Sequence, residues 1–243
     1  MNKIYVVGIG PGEYEQMTVK ADRVLSRCDV IIGYDVYVDL VREHFPGKEF
    51  LTTPMRQEEK RCRIAFEQAS SGKTVAMICS GDAGIYGMTG LIYELAPSYP
   101  GVEIETVCGV SAVISGAGIL GAPLIHDFAV ISLSDLLTPW EKIEARLLGA
   151  SQADFVICLY NPSSKKRHDY LQKACDLMMQ YKSPETVCGI VSYIGRDGEH
   201  YEVMDLKTLR DTKVDMFTTV WVGNSQTKEI NGKMVTPRGY RNV

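Results

Sequence analysis

The chain has 243 residues, 45% hydrophobic and 23% charged, with 26 basic against 30 acidic side chains and a net charge of −4. Those values exclude disorder, collagen-like repeats and coiled coil, and the charge balance excludes a non-specific nucleic-acid or membrane-surface binder. At roughly 150 residues per domain, the length leaves one large α/β domain or two compact ones.

In chain order, Ile4–Val7 is a short apolar strand ending at Gly8. Thr18 can cap a helix whose face is marked by Val19, Val24, Leu25 and Cys28. Val30–Ile32 is a second strand, and Gln57–Ser70 a helix that stops at Gly72. Thr74–Cys79 is continuously apolar, as strands covered on both faces of a parallel sheet are. A helix over Ile85–Leu95 and a strand over Val102–Val107 follow. The uncharged run from Thr106 to Ile125 nears the length of a membrane span. Its four glycines and Pro123 make it read as a strand end, a glycine-rich turn and a buried helix.

The alternation then resumes with a strand at Phe128–Leu133 and a helix starting at Thr138-Pro139, cap then proline. Next come a strand at Phe155–Leu159, a helix over Lys165–Tyr181, a strand at Val187–Tyr193, a short helix at Leu206–Arg210 and a late strand at Phe217–Val222. The Gly195–Gly198 turn and Tyr201–Val203 point to antiparallel pieces in this half. The predicted class is α/β, a mostly parallel N-terminal sheet with helices on both faces, then a mixed-sheet domain. The predicted boundary divides residues 1–110 from 111–243.

The seven cysteines include no CxxC pair, and an odd count does not make a complete disulfide framework. They read as reduced core thiols of a cytoplasmic protein. The four histidines are scattered without zinc-like spacing, so no protein-bound metal is expected. Met1-Asn2-Lys3 enters a strand directly, without the apolar region of a secretory leader.

Five short segments are candidates to carry the chemistry, four of them loops after strands. Gly8-Ile9-Gly10-Pro11-Gly12 looks like a dinucleotide fingerprint but has Glu13 at the third glycine, and Pro11 removes a backbone donor. Gly72-Lys73-Thr74 lies between helix and strand, the reverse of a P-loop, and reads as a helix end. Ser80-Gly81-Asp82-Ala83-Gly84-Ile85-Tyr86-Gly87 stands at a strand's carboxyl end, where open α/β sheets bind ligands. Asp82 there either caps the next helix or holds a hydroxyl or a cation. Gly109-Val110-Ser111-Ala112 is the fourth segment, again just after a strand. In the fifth, Tyr160-Asn161 precedes the basic run Lys165-Lys166-Arg167, which opposes a helix dipole and so is suited to an acidic ligand.

Together, in this order and spacing, these motifs resemble the tetrapyrrole methylase family, S-adenosylmethionine-dependent enzymes of porphyrin and corrin synthesis, over essentially the whole chain. The segments Gly33-Tyr34-Asp35-Val36-Tyr37, Tyr160–Arg167 and Trp221-Val222-Gly223-Asn224-Ser225 are similar to the branch that methylates C17 of precorrin-3B, or its cobalt-bound counterpart, with ring contraction to the precorrin-4 level. Ala83 departs from the proline many members carry after the aspartate. The resemblance implies two α/β domains with the cofactor in a cleft between them and a homodimer, while the cysteine usage and charge balance point to a cytoplasmic protein with no nucleic-acid or membrane partner. The cofactor residues it implies are Gly10, Pro11, Gly81, Asp82, Ile85, Ser111, Ala112, Tyr160, Asn161, Ile194, Gly195, Gly223 and Asn224.

S-adenosylmethionine is already an activated methyl donor, so alignment is the protein's main contribution, worth roughly 7–11 kcal/mol. Ring contraction needs proton transfers, for which Asp35, Tyr37, His126 and Asp127 are candidates. The substrate the resemblance implies is a polycarboxylate, so Tyr34, Arg56, Lys165, Lys166, Arg167 and Arg238 are candidate substrate contacts. The competing readings are a methylase for C20 or C11, a non-catalytic nucleotide-binding α/β module, and an NAD-linked oxidoreductase, which Glu13 and Pro11 weaken.

Overall fold

A computed structural model describes residues 2–164 and 168–240. The chain divides into two compact units, Met1–Ala112 and Val113–Val243.

The first unit holds strands β1 (Lys3–Gly8), β2 (Val30–Tyr34), β3 (Glu49–Thr53), β4 (Thr74–Cys79) and β5 (Glu103–Val107). They form one all-parallel sheet in the order β3-β2-β4-β1-β5. Helices α1 (Val19–Arg27), α2 (Asp35–Asp39), α3 (Glu58–Ser70) and α4 (Thr89–Leu95) connect them. Alternate residues of β1 explain the two-sided core. Ile4 and Val6 pack with Cys62, Phe66 and Ile92 of α3 and α4, while Val7 packs with Ala21, Leu25 and Val38 of α1 and α2. Strands buried on both faces in this way read as unbroken apolar runs.

The second unit holds α5 (Ala112–Leu120, of which Ala112 belongs to the first unit), β6 (Gly121–Ala122), β7 (Phe128–Ser132), α6 (Trp140–Gln152), β8 (Val156–Tyr160), α7 (Tyr170–Met178), β9 (Val187–Ser192), β10 (His200–Asp205), α8 (Leu206–Asp211), β11 (Thr218–Val222), β12 (Lys228–Ile230) and β13 (Lys233–Val235). Its main sheet runs β10-β9-β11-β8-β7. β7 and β8 are parallel, and every other neighbouring pair is antiparallel. One face packs on α6, α7 and α8 through Ile143, Leu147, Leu171, Cys175 and Leu206. The other meets α5, where a Cβ on Gly116 would lie 2.2 Å from the Trp221 ring. A short sheet, β12-β13-β6, completes this unit.

Three expectations are corrected, and short elements the sequence did not announce are added. The helix after β4 begins at Thr89 rather than Ile85, because Asp82 takes the Gly84 and Ile85 N–H groups and Tyr86 sits at φ +54°. Pro139, not Thr138, precedes the first helical residue of α6, and no side chain caps it. α7 spans Tyr170–Met178 instead of reaching Tyr181. The edge strand β3, helix α2 and the β12–β13 hairpin, short and partly exposed, had no apolar pattern to announce them. The uncharged run contains α5, and no helix among the described residues is long and apolar enough to cross a membrane.

Candidate functional site

All the candidates in the described part of the first unit fall at one edge of its parallel sheet, the carboxyl ends of the strands. The loop after β1 and the loop after β4 are joined by a mutual backbone pair: Gly10 N–H donates to Gly81 O at 3.1 Å and Gly81 N–H to Gly10 O at 2.7 Å. Gly10 and Gly81 need φ of +80° and +68°, a region where a side chain is strained. The loop after β5 joins them through Asp82, whose Oδ1 accepts from Gly84 N–H (2.8 Å) and Ile85 N–H (3.1 Å) and whose Oδ2 accepts from Gly109 N–H (2.9 Å). Gly109 has no room for a side chain, since a Cβ would lie 2.1 Å from Gly81 O. Three glycine-bearing loops are thereby fixed as one constellation. Pro11 and Ser111 within it are buried, Ala112 is half-buried at the start of α5, and Ile85 is exposed.

Beside this constellation, Tyr34 ends β2 and stacks edge-on with Tyr37 at 5.2 Å between ring centroids. Asp35 opens α2, where a carboxylate suits the helix dipole. Arg56 is exposed at φ +67°, and its N–H donates to Glu58 Oε1 at 3.2 Å. The residue sequence reasoning missed here is Arg61. It belongs to the buried stripe of α3 with Cys62, Ala65, Phe66 and Ala69, and a charged residue in so apolar a stripe was the available signal.

In the second unit the structure divides the candidates. Tyr160 and Asn161 leave the carboxyl end of β8, and Ile194 and Gly195 leave that of β9. β8 and β9 both pair antiparallel with β11, so these residues share one edge. Tyr160 Oη accepts from Val113 N–H of α5 at 3.0 Å. Asn161 (φ +53°), Tyr193 (φ +55°) and Gly195 (φ +65°) are all left-handed. Asn161 Nδ2 donates to Ser132 Oγ at 2.9 Å, and Gly195 N–H to Glu199 Oε2 at 2.7 Å. Non-glycine residues in that region cost about 1–3 kcal/mol each and gather where loops are functionally constrained.

Gly223 and Asn224 do not share this edge. β11 runs opposite to β8 and β9, with Val222 opposite Ile157 and Cys188, so its carboxyl end lies at the far edge. At about 3.3 Å per residue the two edges stand on the order of 13 Å apart. Gly223 is a packing glycine, its Cβ position 2.6 Å from Val187 O. The buried Lys182, also missed, donates to Gly223 O (2.9 Å) and Phe155 O (2.8 Å), and desolvation lowers its pKa. Asn224 Oδ1 accepts from Gln226 N–H at 3.0 Å, which turns the amide nitrogen toward His126 Nδ1, 3.4 Å away. His126 and Asp127 precede β7 and so lie at the same far edge; Asp127 O accepts from Val156 N–H. Arg238 is exposed there, its Nη1 donating to Ile125 O at 3.0 Å. Lys165, Lys166 and Arg167 lie outside the described residues. Among the described residues no group of three His, Cys, Asp or Glu side chains is placed to hold a metal ion.

The model of the family described as Tetrapyrrole (Corrin/Porphyrin) Methylases matches residues 3–210. The chain is 44% identical over 244 residues to the cobalt-factor III methyltransferase of Priestia megaterium, covering 98% of this chain and 45% of that protein. It therefore spans less than half the length of that relative. It is 46% identical over 236 residues to the probable cobalt-factor III C(17)-methyltransferase of Salmonella typhimurium, covering 97% of this chain and 98% of that one. Among solved structures, that of the methyltransferase CobJ matches with a TM-score of 0.89 at 32% identity, covering 96% of this chain and 99% of that chain.

Proposed function

The chain belongs to the tetrapyrrole (corrin/porphyrin) methylase family, and on that footing we propose that it is an S-adenosylmethionine-dependent C-methyltransferase of cobalamin synthesis. The position methylated is C17 of precorrin-3B or its cobalt-bound counterpart, with ring contraction to the precorrin-4 level. The relatives' names support the cobalt-bound form and the C17 position.

The observation that carries this reading is the fixed constellation of Gly10, Gly81, Asp82 and Gly109 at the carboxyl edge of the parallel sheet. It fits a cofactor with an adenosine and an amino-acid tail. The N–H groups of Gly10, Gly81 and Gly109 hold the loops in place, and Asp82 Oδ2, engaged by one N–H donor, keeps acceptor capacity for a hydroxyl. Bound there, the cofactor would supply an electrophilic methyl group. Gly10, Pro11, Gly81, Asp82, Ile85, Ser111 and Ala112 are the proposed contacts in this part of the chain, and Tyr160, Asn161, Ile194 and Gly195 those of the second unit. Gly223 and Asn224 are left out, as braces of the far edge.

For the proton transfers of ring contraction, Asp35 and Tyr37 are the proposed groups, since they stand at the ligand edge, whereas His126 and Asp127 do not. Tyr34 and Arg56 are the proposed substrate contacts on the same edge. A homodimer is proposed from the family resemblance, and a cytoplasmic setting from the cysteine usage. The test is anaerobic turnover of cobalt-bound against metal-free substrate, with the mass and methyl position of the product determined. Methylation at C17 is expected, methylation at C20 or C11 replaces the assigned position, and no heat on titration with either S-adenosylmethionine or S-adenosylhomocysteine overturns the methylase reading.

A further inference from the structure

Three cations among the described residues are buried: Lys3, Arg61 and Lys182. Lys3 pairs with Glu103 and Glu105 at 2.7 and 2.9 Å, and Lys182 has Asp154 at 3.8 Å. Arg61, 4% exposed, has no acidic partner among the described residues. Its Nε donates to Thr53 Oγ1 at 2.9 Å, and its Nη2 to Thr53 O at 3.3 Å and Pro54 O at 3.2 Å, all neutral acceptors. A guanidinium carries five N–H donors. The two on Nη1 have no partner among the described residues, and that nitrogen is not among the unpaired atoms sealed from solvent.

Burying a charge without a counter-charge costs several kcal/mol, so a native structure that does so calls for an explanation. The position supplies one. Thr53 ends β3 directly opposite Tyr34, which ends β2. The Arg61 guanidinium carbon lies 6.0 Å from the Tyr34 ring centroid. Arg61 therefore stands at the carboxyl edge of the parallel sheet, where such sheets take ligands. Three hydrogen bonds hold its fork in one orientation, so little side-chain freedom is left to lose on binding.

We propose that Arg61 binds a carboxylate of the substrate, its Nη1 edge taking one acidic arm of the tetrapyrrole. This rests on the reading of the substrate as a polycarboxylated tetrapyrrole given above. Arg61 then selects for an anionic arm at that point of the ring, because an uncharged arm leaves the buried cation uncompensated.

The experiment titrates cobalt-factor III into the protein in the presence of S-adenosylhomocysteine, followed by absorbance, with S-adenosylhomocysteine affinity measured separately by calorimetry. In Arg61→Gln the tetrapyrrole Kd is expected to rise about ten-fold or more. S-adenosylhomocysteine affinity should stay within about two-fold. Arg61→Lys keeps the charge but loses the fork, and should fall between. An unchanged tetrapyrrole Kd or an equal loss of both ligands overturns the assignment. Should Arg61→Gln not fold, Arg61→Lys decides alone: a weaker tetrapyrrole Kd supports the assignment, and an unchanged one overturns it. Wild-type protein that binds neither ligand overturns the underlying reading. Wild-type protein that binds both, beside an Arg61→Gln variant of equal tetrapyrrole affinity, overturns only the role of Arg61.

Discussion

The Asp82 carboxylate accepts the backbone N–H of Gly109 at 2.9 Å across 27 residues of sequence. That bond ties the loop after β4 to the loop after β5, while Oδ1 shapes its own loop through Gly84 and Ile85. Asp82 is thus a positioning residue whatever else it touches. In Asp82→Asn one carboxylate oxygen becomes an NH2 group with nothing to offer a backbone donor. Hydrogen bonds to charged acceptors are worth roughly 1.5–3 kcal/mol. We expect a stability loss of about 2 kcal/mol in urea unfolding together with weakened S-adenosylhomocysteine binding. Unchanged values of both would show that the carboxylate holds nothing.

Gly109 and Gly72 separate two reasons for a glycine. A Cβ on Gly109 would meet Gly81 O at 2.1 Å, whereas Gly72, at φ +97°, has nothing within 4 Å. Gly72→Ala should cost about 1–2 kcal/mol through backbone strain alone. Gly109→Ala should cost distinctly more and also abolish S-adenosylhomocysteine binding, because backbone must move. Equal melting temperatures for the two variants would contradict this.

The antiparallel course of β11 yields a contrast between two asparagines. Asn161→Ala should weaken S-adenosylhomocysteine binding by about ten-fold, since Asn161 shares an edge with Tyr160 and Gly195. Asn224→Ala removes the acceptor for Gln226 N–H and the neighbour of His126, at the far edge. It should lower stability by roughly 1–3 kcal/mol and leave the calorimetric Kd in place. A Kd that moves for Asn224 but not Asn161 would return Asn224 to the cofactor.

Acid sensitivity should centre in part on Glu105. Hydrogen bonds from Lys20 first, then Lys3, hold its carboxyl below the usual glutamate range. A carboxyl lowered in the folded state stabilises above its unfolded pKa, and that stabilisation is lost as pH falls through the folded value. Wild-type stability should therefore drop more steeply below the ordinary glutamate pKa than that of Glu105→Gln. Parallel acid limbs in chemical unfolding would rule out a contribution from this carboxyl.

Much of the fold was legible because its signals are local. β1 and β4 are buried on both faces and so read as apolar runs, and the glycines after them mark turns that only glycine makes cheaply. The cap at Thr18 is equally local: its hydroxyl accepts from Ala21 N–H, three residues on. What escaped was short or exposed, such as β3 and the β12–β13 hairpin, where few apolar residues impose a period.

The sequence by itself determined the α/β class, the glycine-bearing loops after its strands and the family to which the chain belongs, because each rests on residue type and spacing within a few positions. Only the tertiary structure decided which of those loops meet. An apolar run carries no strand direction, so nothing in Val220-Trp221-Val222 said that Asn224 would leave the sheet at the edge opposite Asn161. Nor does spacing reveal a partner 27 residues away for Asp82, or that Arg61 would be buried with every acceptor neutral. Pairing across a sheet is set by the packing of the whole domain, and a charge's environment exists only once that packing is complete.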